Sequence, residues 1–220
     1  MDYNSILGVV LAGGKSKRFG QDKSQVQLGE KILIDYILLE ILDQFNEILI
    51  IANNDIKFLN SKKITKIEDY KKDLGPLGGV LTALKWIKKN NKDYKWISTF
   101  PSDTPFFNKK YLQDFLKNIN DKDGKLFFIK SNDKRHNIFG LWSVDLLDRL
   151  GEDVINRGER KVEVWANNVG VKTINMEFTN NDPFFTINIK EDLEKFNKKL
   201  LLHTTKSTQT YLAAKYTKSY

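Results

Sequence analysis

Three stretches of the chain carry residue types suited to holding an anionic ligand. The first, "LAGGKSKRFGQDKS" (Leu11 to Ser24), joins Gly13, Gly14 and Gly20 to the cations Lys15, Lys17, Arg18 and Lys23. Glycine permits close backbone approach and positive φ, so successive N–H groups can face a phosphate. Lysine adds a point charge and arginine a planar fork. In the second, "FPSDTPFF", Asp103 stands between Pro101 and Pro105, which restrict the backbone around it. A carboxylate held in this way suits Mg²⁺, which takes one or two carboxylates and otherwise keeps water and phosphate oxygens. The third, "IEDYKKDLGPLGGV", sets Asp69 before a glycine-rich turn (Gly75, Pro76, Gly78, Gly79) that leads into a helix. A helix N-terminus offers free N–H groups, and Asp69 offers an acceptor to a ribose or a base.

Spacing removes two familiar phosphate motifs. A Walker loop needs Lys and then Ser or Thr directly after its last glycine, whereas Gln21 follows Gly20. A dinucleotide fingerprint needs glycines at alternate positions, whereas Gly13 and Gly14 are adjacent. Each stretch also has a plainer reading: a solvated glycine loop, a carboxylate capping its own turn, and an ordinary strand-to-helix connection. The three together, each following an expected strand, favour a site.

The elements that would position these residues are legible from periodicity. "SILGVVLA" and "EILIIA" are continuous apolar runs, as in buried parallel strands, "KITKIED" is a shorter strand, and "YKWISTFP" is a strand ending against Pro101. "KILIDYILLEILDQF" has helical spacing over about four turns, and "GPLGGVLTALKWIKKN" continues its Pro-containing turn as a helix. "NKKYLQDFLKNI" is a further helix with Asn108 as N-cap. Beyond it, "NDKDGKLFFIK" sets an Asp123–Gly124 turn before a strand, and "HNIFGLWS" and "GVKTINM" are strands. "VDLLDRL", "GERKVEVWANN" and "IKEDLEKFNKKLLL" are helices. This alternation predicts an α/β fold with a mostly parallel central sheet and helices on both faces. Residues 1–202 are expected to form one domain. Residues 203–220 form a basic polar tail, expected to be disordered, the alternative being an arm around "TYLAAKY" that packs on a partner subunit.

Composition narrows the function classes. The chain of 220 residues has no cysteine and two histidines, His136 and His203, which excludes a disulfide framework and disfavours zinc. No apolar run approaches the roughly 18 residues of a membrane span, and "MDYNS" lacks a basic leader; a cytoplasmic protein without a membrane partner is expected. The net charge of +8 includes five lysines and no acid from Lys198 onward. The body is therefore only modestly basic, which suits anionic substrates and gives no sign of a nucleic-acid partner.

"LAGGKSKRFGQDKS" resembles the signature loop of nucleotidyltransferases with a Rossmann-like sheet. Its order from Gly14 through Arg18 to Lys23 is most similar to the molybdenum cofactor guanylyltransferase (MobA) family. "IEDYKKDLGPLGGV", "FPSDTPFF", "GERKVEVW" and "FFTINIKEDL" resemble that family's later motifs, so the resemblance spans about residues 6 to 197. It implies transfer of GMP from GTP to the phosphate of molybdopterin or its molybdenum-loaded form, with Mg²⁺ and release of pyrophosphate. It also allows other cofactor-biosynthesis proteins as partners. Residues carried over for the nucleotide are Leu11, Ala12, Gly13, Gly14, Asn53, Asp69 and Gly78, together with Lys23 on the phosphates and Asp103 on metal and nucleotide. Arg18, Lys23 and Asp103 would be catalytic, and His136, Arg160 and Asn188 would meet the acceptor. The chain departs from the family at Thr186, where an asparagine is common, and at Asn137, where proline commonly follows the histidine. Two alternatives stay open: a cytidylyltransferase of the same fold acting on a pterin or sugar-like acceptor, and a non-catalytic nucleotide-binding adaptor.

Overall fold

Strand β1 (Ile6–Leu11) alternates its side chains between two cores: Ile6 and Val10 enter one, Leu7 and Val9 the other. A strand apolar on both faces needs cover on both, and the rest of the chain supplies it. The computed structural model describes residues 2–13, 22–178, 182–187 and 192. Beyond β1 the chain forms a short ribbon of β2 (Gln27–Leu28) and β3 (Lys31–Ile32), then α1 (Leu33–Ile41), β4 (Ile48–Ile51) and β5 (Ile64–Ile67). There follow α2 (Gly75–Lys89), β6 (Trp96–Pro101), α3 (Lys109–Lys117), β7 (Leu126–Ser131) and β8 (Lys134–Ser143). The described body closes with α4 (Leu147–Gly151), a π-helical stretch over Glu152–Asn156, α5 (Val162–Val169) and β9 (Lys172–Met176).

The main sheet has the order β5-β4-β1-β6-β8-β7-β9. Pairing is parallel from β5 through β6 and between β7 and β9, while β8 runs antiparallel to β6 and β7. Helices α1 and α3 pack on one face around Phe45, Phe100, Phe107 and Phe115, and α2, α4 and α5 on the other around Leu81, Trp142 and Trp165. The expected mostly parallel sheet with helices on both faces is the fold observed. From β1 the chain proceeds outward to β4 and β5 and then returns to lay β6 on the other side of β1. That reversal makes the carboxyl edge between β1 and β6 the place where open α/β sheets bind ligands.

Several local expectations hold and two need correction. Asn108 caps α3 by accepting the Lys110 N–H, and the buried Glu40 carboxylate of α1 accepts the Lys109 N–H beside it. The helix expected over "KILIDYILLEILDQF" is shorter, because Lys31 and Ile32 pair with Leu28 and Gln27 around a turn in which Gly29 has φ +60°. The helix expected over "GERKVEVWANN" starts only at Val162. Gly158 has φ +75°, and the Glu159 carboxylate accepts the N–H groups of Arg160 and Lys161 in place of helical partners. Most of "IKEDLEKFNKKLLL" and all of the tail 203–220 lie outside the described residues. Among the described residues no helix is long and apolar enough to cross a membrane.

A small third core joins Val26, Leu28, Leu33 and Ile187, with Tyr36 against it. The Tyr36 hydroxyl donates to Leu28 O, and burial, with Glu30 adding, pushes the phenol up to about 12. The stabilisation by the neutral phenol is whole below pH ~10 and is lost as pH rises through the folded value. Tyr36→Phe is expected to cost about 1 kcal/mol in urea unfolding at pH 7, and to diminish the high-pH phenolate transition in the absorbance titration, which Tyr94, also raised to about 12, shares.

Candidate active site

Backbone pairing carries the parallel strands slightly past their ends. Ala12 N–H donates to Ile51 O at 3.0 Å, and Ala52 N–H to Ile67 O at 3.0 Å. The residues at and just after the ends of β1, β4, β5 and β6 therefore emerge along one edge: Leu11, Ala12 and Gly13, then Asn53, Asp69 and Asp103. Lys23 arrives at this edge on a 3-10 turn, Lys23–Gln25, that Asp22 caps through the N–H of Ser24 (3.0 Å) and its hydroxyl (2.7 Å). The other Asp22 oxygen accepts from Asn54 Nδ2 at 3.0 Å, and Gln25 exchanges two hydrogen bonds with the backbone of Lys57. Clamped to the loop after β4, the turn sends Lys23 Nζ to Asp103 Oδ2 at 2.7 Å, with side chains 20% and 17% exposed. Residues 80 positions apart thus meet where β1 and β6 adjoin.

Asp69 is held by a reciprocal pair. Asn53 Nδ2 donates to its Oδ2 at 2.7 Å, and its own N–H donates to Asn53 Oδ1 at 3.0 Å. The remaining oxygen, Oδ1, is buried without a hydrogen-bond partner among the described residues. Burial raises the carboxyl above its ordinary value, and the Asn53 bond opposes this. The carboxylate lies between two glycines: a Cβ on Gly13 would stand 3.6 Å from Oδ2, and one on Gly79 3.8 Å from Oδ1. Gly78, in the first turn of α2, is buried; a Cβ there would come within 2.5 Å of Leu74 Cβ. Thr82 fastens the loop between Asp69 and α2 by donating to Gly78 O and accepting the Tyr70 N–H.

A second group of polar side chains lies on the β7–β8 side. Asn132 and Asp133, both at positive φ, form a two-residue hairpin turn that sets β8 back along β7. At its base Ser131 Oγ lies 2.6 Å from His136 Nε2 and donates to Asp182 Oδ2 at 3.2 Å. The His136 ring rests on Phe184, centroid to centroid 4.8 Å. Burial lowers its basicity; Asp182 pulls the other way and Lys134 adds to the lowering. The segment after Asp182 reaches the first group, since Ile187 N–H donates to Asp103 O at 3.0 Å. Phe107, Phe139 and Phe184 pack together beneath it.

The structure therefore brings together Leu11, Ala12, Gly13, Lys23, Asn53, Asp69, Gly78 and Asp103, with His136 joined to them through residues 182–187. Arg160 is engaged otherwise: its guanidinium donates to Val154 O and Glu159 O, and its loop backs onto Gly75. Asn137, in the position of the common proline, accepts from Arg135 Nε at 2.8 Å. Gly14, Arg18 and Asn188 lie outside the described residues. Sequence reasoning read Asp22 only as part of the signature loop and gave no site role to it, nor to Asn54, Gln25, Ser131, Asp182 or Thr104, whose hydroxyl is buried directly after Asp103 without a hydrogen-bond partner among the described residues. Only Asp22 carried a local signal, an Asp two residues before a serine N–H it can cap. Among the described residues no group of three or more His, Cys, Asp or Glu gathers as a metal cage.

The chain has relatives among known proteins, in sequence and in fold. The family model of the MobA-like NTP transferase domain matches residues 8–169. The molybdenum cofactor guanylyltransferase of Haemophilus influenzae is 34% identical over 198 residues, 87% of this chain and 97% of that protein. The one from Mesorhizobium japonicum is 31% identical over 193 residues, 86% and 92% of the two chains. The crystal structure of molybdopterin-guanine dinucleotide biosynthesis protein A from Archaeoglobus fulgidus shares the fold, with a TM-score of 0.66 at 20% identity over 89% of this chain and 98% of that one.

Proposed function

We propose, for a chain that belongs to the MobA-like NTP transferase family and is thereby a nucleotidyltransferase, that the reaction is guanylyl transfer to a pterin phosphate. The terminal phosphate monoester of molybdopterin, with or without molybdenum, attacks the α-phosphorus of GTP. A new phosphoanhydride bond forms, the bond between the α- and β-phosphates breaks, and pyrophosphate leaves. The observation that carries the reading is the convergence of Lys23 on Asp103 at the switch point of the sheet, 2.7 Å apart. The attacking monoester is anionic near neutral pH, so the protein needs no general base. Its task is to align two phosphates and to stabilise the charge that builds on the leaving group.

In this reading the backbone from Leu11 to Gly14 and the first turn of α2 at Gly78 hold the nucleotide. Lys23 and Arg18 stabilise its phosphates. Asp69 accepts from the ribose or the base of the nucleotide, with Asn53 holding that carboxylate in place. Asp103 is the residue that would hold Mg²⁺, and its single carboxylate suits a cation that otherwise keeps water and phosphate oxygens. When bound, the ion would supply charge neutralisation at the phosphates. His136, Arg160 and Asn188 are assigned to the acceptor side.

The test is pyrophosphate release with Mg²⁺ from GTP, CTP and ATP, with and without molybdopterin. Release from GTP that requires molybdopterin is expected. Release from CTP and not GTP would retain the nucleotidyl transfer and reject the guanine assignment; binding of GTP without release in any mixture would make the chain a nucleotide-binding adaptor.

A further inference from the structure

The group around His136 has a direction, and that direction sets what the imidazole can offer a substrate. Asp182 is a carboxylate and only accepts; its Oδ1 takes the Phe184 N–H at 2.9 Å and its Oδ2 takes the Ser131 hydroxyl at 3.2 Å. A serine hydroxyl has one proton. With that proton committed to Asp182, Ser131 Oγ can only accept from the imidazole nitrogen 2.6 Å away, His136 Nε2. Asp182 Oδ2 lies 3.7 Å from the same nitrogen and favours the proton there a second time. Nδ1 has no hydrogen-bond partner among the described residues. The whole chain, Nε2–H to Oγ–H to carboxylate, is buried at its serine and imidazole ends and is gripped by the aromatic contacts of Phe139 and Phe184.

We infer that Ser131 and Asp182 are positioning residues that hold His136 with its proton on Nε2, so that Nδ1 is a fixed acceptor for an N–H group of the acceptor substrate's heterocycle. This rests on the acceptor being a pterin, whose fused rings carry amino and ring N–H donors. The location agrees with that use. The strap that contains Asp182 and Phe184 ends with Ile187 bonded to the backbone of Asp103, so the six residues 182–187 tie the surroundings of the imidazole to the main chain that carries the carboxylate at the phosphate end of the site. Serine and aspartate here do not form a nucleophilic triad, because both meet the same imidazole nitrogen and neither leaves the serine proton to be taken.

Two measurements test the inference together. In a His203→Gln protein a single imidazole remains, and its nitrogen-15 chemical shifts report the tautomer directly; protonation at Nε2 is expected, and protonation at Nδ1 overturns the inference. Asp182→Asn keeps Oδ1 for Phe184 but places an N–H donor where Oδ2 was, which turns the Ser131 hydroxyl toward Nε2 and moves the imidazole proton to Nδ1. The KM for molybdopterin is then expected to rise about tenfold, the worth of one well-placed hydrogen bond, with the KM for GTP unchanged. An unchanged molybdopterin KM, or an equal rise in both, overturns it. A wild-type protein that releases no pyrophosphate from GTP and molybdopterin rejects the proposed reaction itself, a result distinct from an active wild type whose Asp182→Asn variant behaves the same.

Discussion

Lys23→Ala is expected to lower the rate of GTP-dependent pyrophosphate release by about 10²–10³-fold, the cost of removing one preorganised group from a site of developing charge. The lysine reaches its place through two fastenings of its turn: Asp22, itself held by Asn54, caps it, and Gln25 pairs with the Lys57 backbone. Such a framework fixes the ammonium before substrate arrives, and this is the condition under which a charge lowers a barrier without reorganisation. The effect should fall on kcat more than on KM for GTP, because charge accumulates on the leaving pyrophosphate only as the reaction proceeds. Stability should hardly change. A partly exposed ion pair contributes at most about 1 kcal/mol, so the variant's melting curve should stay close to that of the parent. Lys23→Met, which keeps the aliphatic stem and removes the charge, should be as impaired as alanine. Turnover within threefold of wild type for either variant would remove Lys23 from the chemistry.

The parts of the fold that were legible in the sequence are those whose burial is written in consecutive residues. β1 and β4 are apolar on both faces because helices cover both, and their runs of Ile, Leu and Val announce it. Asn108 capped the helix it was expected to cap. The misjudged segments are those where a longer-range partner overrides local pattern. Lys31 and Ile32 are in helical spacing with the apolar residues of α1, yet Gly29 turns them onto Gln27 and Leu28. "GERK" has good helix formers, but Glu159 takes the N–H groups of its two successors and Arg160 folds back on Val154. The same division runs through the site. Lys23, Asp69 and Asp103 each stood out by neighbouring glycine or proline, whereas the meeting of Lys23 with Asp103 depends on strand order, which spacing does not encode. Ser131 and Asp182 carry no local mark at all; 51 residues apart, they meet because the hairpin at Asn132–Asp133 and the strap at Asp182–Ile187 close on the same edge.

Asp103→Asn should prove the more informative of the two site variants, because it separates charge from shape. The asparagine is nearly isosteric, and the link to Ile187 uses the backbone carbonyl of residue 103, so the strap and the aromatic packing beneath it should be undisturbed. What is lost is one negative charge beside Lys23 Nζ. If that carboxylate holds Mg²⁺, the variant should need a higher Mg²⁺ concentration for half-maximal pyrophosphate release and should remain about 10²–10³-fold slower than wild type. Lys23→Ala, by contrast, should leave the Mg²⁺ requirement where it was or reduce it, since it removes a cation that competes for the same oxygen. If instead the carboxylate served only to orient the lysine, the two variants would share one Mg²⁺ profile and the double variant would be no slower than either alone. Separate Mg²⁺ profiles, with a double variant slower than both, would assign the metal to Asp103 and the phosphates to Lys23. The ion pair seen between them would then be the resting arrangement of two groups that part when nucleotide and cation bind.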